Sequence, residues 1–418
     1  MIATTIFVDP DATWTPVLNR SRERGFKVIN ISSPRYTSSY PDLESLADTT
    51  ISCDTSNSKI LAATLNTIEM TDRTAIITSN DGTLEVVAEA AEYQNISFTP
   101  LSAVRLARNK INMRKHLKCH GFQMPRFEAF RTMRDLERAV NTIGFPCAIK
   151  PASGHQSWFC FRLSSTIDIE LVIENLNYMI DNLAPNNAWC LKNGFICEEW
   201  MDGPIISVSV AASNGLPIPI CVALGTTSPD APCAGYGSII PYIENKYVAE
   251  TCSHYAENIC RTLGLTVGIF DLEMIWTKTG PVILEVNARR MGGVMPHAYD
   301  IATGDDFSDI ILDAYLLLPI SPRPKFTHTA VIRKIIAGSG GIIKSSLDEN
   351  ILKPHGHNIY YRNYFLHEGV LVDKFDVLAR LISVGTSSTI EFEKLDSLLI
   401  EIEKQIEIPL LRGFLPTP

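Results

Sequence analysis

The chain has 418 residues, of which 45% are hydrophobic and 20% charged, and its net charge is -9. That length predicts two or three globular units, and that composition a packed chain rather than a disordered one. The acidic balance argues against a nucleic-acid partner, since domains that grip a phosphate backbone carry a basic face.

Along the chain, Met1 to Asp9 is apolar but lacks a basic flank and a small-residue cleavage site. It reads as a strand, Thr4 to Val8, followed by helical Trp14 to Arg24, a closing Gly25 and a second strand from Lys27 to Ile31. Thr74 to Thr78 is strand-like and Leu84 to Tyr93 helical, with the turn Asn80-Asp81-Gly82 between them. Strand and helix in alternation predict a small parallel α/β sheet. A helix carrying Lys110 and Arg114 ends near Gly121. Beyond it come an extended Arg126 to Phe130, helical Met133 to Ile143, strands Cys147 to Lys150 and Trp158 to Leu163, a helix to Leu183, and strand Phe195 to Glu199. That order predicts a compact α+β lobe on an antiparallel sheet. Strands Ile205 to Ala211, Phe270 to Trp276 and Val282 to Asn287 follow, and Lys374 to Glu407 reads as strand, turn and acidic helix. Thr226 to Tyr236, rich in Pro and Gly, reads as a loop that serves either as a substrate lid or as a connection. Three units are expected: residues 1–112, 113–201 and 202–418. Ten cysteines stand singly, without CxxC or zinc spacing, which predicts free thiols in a reducing compartment. No apolar run reaches bilayer length, so a cytoplasmic protein without a membrane partner is expected.

Three constellations carry chemistry. Glu285-Val286-Asn287-Ala288-Arg289 follows Glu273 across the turn Thr277 to Pro281. On paired strands Glu273, Glu285 and Asn287 project to one face, because residues two apart share a side. Carboxylate and carboxamide oxygens suit a hard cation such as magnesium, with nucleotide phosphates completing the sphere. A solvent-facing hairpin edge is the plainer alternative, but the apolar Val282, Ile283, Leu284 and Val286 argue for a buried strand whose charges need partners. Second, Lys150 ends an apolar strand and precedes the small-residue turn Ala152 to Ser157, an arrangement suited to phosphate oxygens. Third, Phe195 to Trp200 is an apolar strand ending in Glu198 and Glu199 before Asp202-Gly203-Pro204, which suits a hinge against an adenine edge.

In this order and spacing the three blocks resemble the ATP-grasp superfamily, and within it the carboxylate–amine ligases. The resemblance covers roughly residues 75 to 318. The tail Arg289-Arg290-Met291-Gly292-Gly293, with Ala302-Thr303-Gly304 beyond, looks like that of bacterial L-amino acid ligases of the bacilysin and dapdiamide type. The resemblance implies an α/β ATP-grasp fold with an N-terminal parallel-sheet domain, a central lid and a C-terminal catalytic domain. It implies an ATP-dependent ligase that forms a peptide or amide bond through an acylphosphate, releasing ADP and phosphate, in dipeptide or antibiotic synthesis. Lys110 and Lys150 would hold ATP phosphates under a loop of Ser153, Gly154, His155, Gln156 and Ser157. Glu198 would accept from the adenine amino group beside Glu199 and Trp200. Glu273, Glu285 and Asn287 would bind Mg2+, two ions with Mn2+ as a substitute, and Arg289 would stabilise the reacting groups. Gly292, Gly293 and His297 would contact a small-molecule substrate, an amino acid or small carboxylic acid, and the resemblance leaves room for a homodimer. Two departures stand out. Ile205 occupies the position of the usual ribose-binding glutamate, with either Asp202 or no residue in its place, and Trp158-Phe159 stands where an Arg-Gly is common. A purine-pathway ligase, a biotin-type carboxylase or a non-catalytic ATP-binding regulator are the alternatives on the same scaffold.

Overall fold

Four short runs near the N-terminus, Thr4–Val8 (β1), Lys27–Ser32 (β2), Thr49–Ser52 (β3) and Thr74–Ile77 (β4), pair in parallel in the order β3-β2-β1-β4. The computed structural model describes residues 3–416 apart from 72, 79, 155–158, 184, 229–230, 322–325, 356–358 and 364. Every residue of β1 is buried, as a parallel strand covered on both faces requires. Gly25 takes a φ of +72° to end the helix Thr15–Glu23, a turn that favours glycine. The strand β3 and the helix Ser58–Leu65 are additions to the sequence reading. In β3 no residue is buried, so it lacks the apolar signature of its neighbours.

A second sheet is antiparallel, with order β5-β8-β6-β7 for Phe127–Phe130 (β5), Cys147–Pro151 (β6), Phe161–Leu163 (β7) and Phe195–Glu199 (β8). Its core is closed by Leu136 and Val140 of the helix Met133–Ile143 and by Val172 and Leu176 of the helix Ile167–Asp181. Strand β7 begins at Phe161; of the predicted run from Trp158, Trp158 itself lies outside the described residues.

The third sheet has eight strands. Ile205–Ser213 (β9), Leu216–Ser228 (β10), Ala231–Ile240 (β11), Gly268–Thr277 (β12), Gly280–Asn287 (β13) and Thr329–Ile336 (β14) are its larger part. Gly341–Ile342 (β15) and Leu371–Val372 (β17) pair separately, while Ile359–Asn363 (β16) and Val377–Gly385 (β18) join the large sheet. The order is β13-β12-β9-β10-β11-β14-β18-β16. One face packs the helices Lys110–Cys119, Lys246–Leu263 and Ser388–Ile406. The other packs Met295–Thr303 and Phe307–Tyr315, together with Phe7, Trp14 and Leu18 from the N-terminal region.

Of the predicted loop Thr226 to Tyr236, Thr226 to Ser228 belong to β10 and Ala231 to Tyr236 to β11, while residues 229–230 lie outside the described residues. Just beyond that run β11 lies close against its neighbour β14. A Cβ on Gly237 would meet the Ile332 carbonyl of β14 at 2.0 Å. Gly203, between β8 and β9, has φ +145°, and a Cβ there would lie 2.1 Å from the Trp276 carbonyl. Among the described residues no helix is long and apolar enough to cross a membrane.

Candidate active site

The β12–β13 hairpin sets Asp271 opposite Asn287 and Glu273 opposite Glu285. Alternation along each strand therefore gathers all four side chains on one face, as expected for Glu273, Glu285 and Asn287. Asp271, two residues before Glu273, was not singled out, though the same period of two finds it. It is buried, accepts from the Ser207 hydroxyl of β9, and is bonded by the Asn287 carboxamide. Burial, then the charges of Glu285 and Asp271, push the Glu273 carboxyl up to about 8. Burial also opposes ionisation of Glu285, but Lys110, with Lys150 and Arg289, outweighs it and brings that carboxyl down to about 2. The Lys110 ammonium lies 2.8 Å from Glu285. Among the described residues no three His, Cys, Asp or Glu side chains form a closed ligand cage. Magnesium held by one or two carboxylates plus phosphates needs none. The oxygen donors and the repulsion that keeps Glu273 protonated fit a cation at this face.

Across the cleft, Lys150 reaches 2.5 Å from one oxygen of Glu198, and Arg114 reaches 2.5 Å from the other. Burial would raise the Glu198 carboxyl, but Arg114 and Lys150 hold it below the ordinary range. Glu198 is thus gripped by two cations, so any adenine amino group would share it with them. Ser153 accepts from the Asn193 carboxamide at 2.8 Å, and Lys110 donates to the Gly154 carbonyl at 3.4 Å. His155, Gln156 and Ser157 lie outside the described residues. Glu199 pairs with Arg126 at 2.8 Å, and the Trp200 indole donates to Asp202 at 3.1 Å.

These groups enclose a cavity of about 870 Å³. Lys110, Lys150 and Glu198 line it from one side, Asp271, Glu273 and Glu285 from another, and Glu199 to Ile205 along the strand end. That volume falls in the range of small-molecule and cofactor sites. Asp202 and Ile205 both face it, the two positions weighed for the ribose.

Arg289 is held differently. Its Nε donates to Asp81 at 2.9 Å, in the turn after β4, and its Nη1 to the Arg290 carbonyl at 3.0 Å. Burial would loosen its proton, but Asp81, with Asp271 and Glu285, keeps it more firmly bound than usual. Arg289 therefore feels the acid cluster while being stapled to the N-terminal region. Gly293 and His297 line a second cavity of about 440 Å³ beside Arg290 and Asp300, while Gly292 is exposed next to them. Burial pushes the His297 imidazole down. The expected substrate residues are thus split between an ion pair and a separate cavity.

A parallel N-terminal sheet, an antiparallel second sheet and paired acids at the edge of a third define the ATP-grasp fold. Residues 107–293 match the family model of the ATP-grasp domain. The uncharacterized protein y4rH of Sinorhizobium fredii is 25% identical over 242 residues, 56% of this chain and 47% of that protein. Dapdiamide A synthase of Enterobacter agglomerans is 32% identical over 63 residues, 15% of each. The aligned stretch thus spans about half of the first curated relative and less of the second. Among solved structures, an L-amino acid ligase from Bacillus licheniformis superposes with a TM-score of 0.78 at 17% identity, covering 99% of both chains. An ADP complex of N5-carboxyaminoimidazole ribonucleotide synthetase gives 0.71 at 17% identity, over 97% of this chain and 99% of that one.

Proposed function

We propose that the chain is an ATP-dependent carboxylate–amine ligase. It joins an amino acid or small acid to an amino acid through an acylphosphate and releases ADP and phosphate. The observation that carries this reading is the direct opposition of Glu273 and Glu285, beside Asp271 and Asn287, at one wall of the 870 Å³ cavity. Magnesium ions, two of them with Mn2+ as a substitute, would be held by Glu273, Glu285 and Asn287. When bound, magnesium and ATP supply the phosphoryl group and neutralise its charge. Lys110 and Lys150 bind phosphate oxygens, Lys110 from its place beside Glu285 and the Gly154 carbonyl. Arg289, fixed by Asp81, offers a forked guanidinium to the charge that develops on the transferring group. Residues 113–201 act as a lid over the cleft, between the units 1–112 and 202–418, and keep water from the acylphosphate. We place the enzyme in the cytoplasm, acting on small molecules.

The test is a matrix of paired free amino acids with ATP and magnesium, read by phosphate release, nucleotide analysis and product mass spectrometry. ADP, phosphate and a new amide are expected. AMP and pyrophosphate would overturn the acylphosphate route. Turnover confined to a phosphorylated ribosylamine or to biotin would assign the chain to the purine-pathway or carboxylase alternatives.

A further inference from the structure

The second cavity is lined by a buried cation, Arg290, with which no carboxylate pairs among the described residues, Asp11 acting on it only from farther off. Arg290 is 5% exposed, and its guanidinium lies 4.7 Å above the Trp14 ring. Its Nη atoms donate only to the Met291 carbonyl and to the carbonyl and hydroxyl of Thr13. Its Nε has no hydrogen-bond partner, and among the described residues no carboxylate forms an ion pair with it. Burial accordingly pushes the Arg290 guanidinium down to about 10. A buried cation left in this state is costly, and a counter-anion entering the cavity removes the cost.

The rest of the lining narrows the choice of anion. Arg380 of β18 adds a second guanidinium. Asp300, on the helix Met295–Thr303, is the one carboxyl in the lining, pushed up to about 7 by burial, although the Phe307 amide donates to it. Between these polar groups the wall is apolar, formed by Val17, Val294, Phe307, Ile311 and Ile382. Two cations, one acid and an apolar wall match a zwitterion with a hydrocarbon side chain. The volume of about 440 Å³ is that of a small-molecule site.

The cavity also adjoins the nucleotide cleft. Met295 lines the larger cavity while its neighbours Val294 and Pro296 line the smaller, so one turn of chain forms the wall between them.

We propose that this cavity binds the amine-supplying substrate, a free α-amino acid with an apolar side chain, its carboxylate held by Arg290 and Arg380. The proposal rests on the ligase reading above. An amino acid anchored by its carboxylate presents its amine as the reactive end, which makes it the acceptor of the acyl group. Asp300 accepts a hydrogen bond from that amine.

Titration calorimetry on the full chain, with and without a non-hydrolysable ATP analogue and magnesium, tests this with four probes: L-leucine, L-methionine, L-leucinamide and inorganic phosphate. Leucine or methionine is expected to bind saturably, and leucinamide at least tenfold more weakly because it lacks the carboxylate. Arg380→Gln, at the half-buried guanidinium, is expected to keep its melting temperature. It should raise the KM for the amine substrate at least tenfold and leave the KM for ATP within twofold. Arg290→Gln adds a second reading if it folds, and the amide comparison requires no variant at all. Equal binding of leucine and leucinamide, preference for phosphate, or unchanged constants in Arg380→Gln would overturn the proposal. If amino acids drive ADP release yet none depends on Arg380, the cavity assignment fails and the ligase reading stands. If leucine binds through Arg380 but no amino-acid pair releases ADP, the ligase reading fails instead.

Discussion

Replacing Glu273 by glutamine should make the nucleotide-free protein more stable while disabling it. Raising the Glu273 carboxyl from its ordinary 4.5 to about 8 sets about 5 kcal/mol against its ionisation. Glu273 and Glu285 titrate as a pair, so Glu273→Gln relieves only part of that cost, about 1–2 kcal/mol. The sign follows from proton binding. Between pH 4.5 and 8 the folded wild type holds a proton on Glu273 that the unfolded chain has released, so its stability falls as pH rises through that window. Glutamine has no such proton, so the advantage of the variant is absent near pH 5 and complete above about 8. Calorimetry at pH 5, 7 and 9 should show equal melting at the lowest pH and a variant melting about 1–2 °C higher at the highest. Adding magnesium and ADP should reverse the order. A ligand at a hundredfold excess over its Kd stabilises by about 2.7 kcal/mol, and the variant should lose most of that gain. Equal melting of the two proteins at pH 9, or full protection of the variant by magnesium and ADP, would refute the idea that these acids are spaced for a cation.

Arg289→Met should bind ATP normally and lose ligation by about a hundredfold or more, the scale of one preorganised donor. Asp81→Asn, which keeps the guanidinium but loosens its mooring, should cost less than tenfold in kcat; equal losses would reduce Arg289 to a structural staple. Lys150→Met should raise the KM for ATP while the protein stays folded, because Arg114 still balances Glu198; unfolding of this variant would assign Lys150 to stability instead. Gly203→Ala should destabilise the protein by about 1–3 kcal/mol, since its Cβ would run into the Trp276 carbonyl from a strained φ. A melting curve matching wild type would show that this link can relax.

The parts of the site that lie within one strand or one hairpin were legible in the sequence. Glu273, Glu285 and Asn287 share a face because a period of two and a tight turn fix it, and Lys150 stands out as the charged end of an apolar strand. Asp271 obeys the same alternation, and the period of two places it on the same face as Glu273. Contacts that depend on how the sheets dock were not legible. Asp81 and Arg289 are 208 positions apart, Thr13 and Arg290 are 277, and no local periodicity links either pair. The ion pairs of Glu198 with Lys150 and Arg114 likewise depend on the register of β6 against β8 and on the docking of the helix Lys110–Cys119. Thr226 to Tyr236 misled for a related reason. Its prolines and Gly235 read as loop residues, whereas the pairing of Thr226 with Gly237 and of Thr227 with Gly235 makes most of the run strand.

The large sheet runs past the end of the stretch that matches the family. Residues 107–293 stop at the turn after β13, yet β11 pairs with β14 from Gly237 opposite Arg333 to Ile240 opposite Ala330, and β18 continues the ladder. A fragment trimmed to the matching stretch would bare that side of β11 as a raw edge of unpaired amides and carbonyls, prone to self-association. It would also strip away the helix Ser388–Ile406, whose Leu395, Leu398 and Leu399 lie in the same core as Val208 and Leu272. Building chimeras with proteins of this fold would therefore mean exchanging the C-terminal strands together with the matched centre, since a graft bounded by the match would break one continuous ladder in the middle.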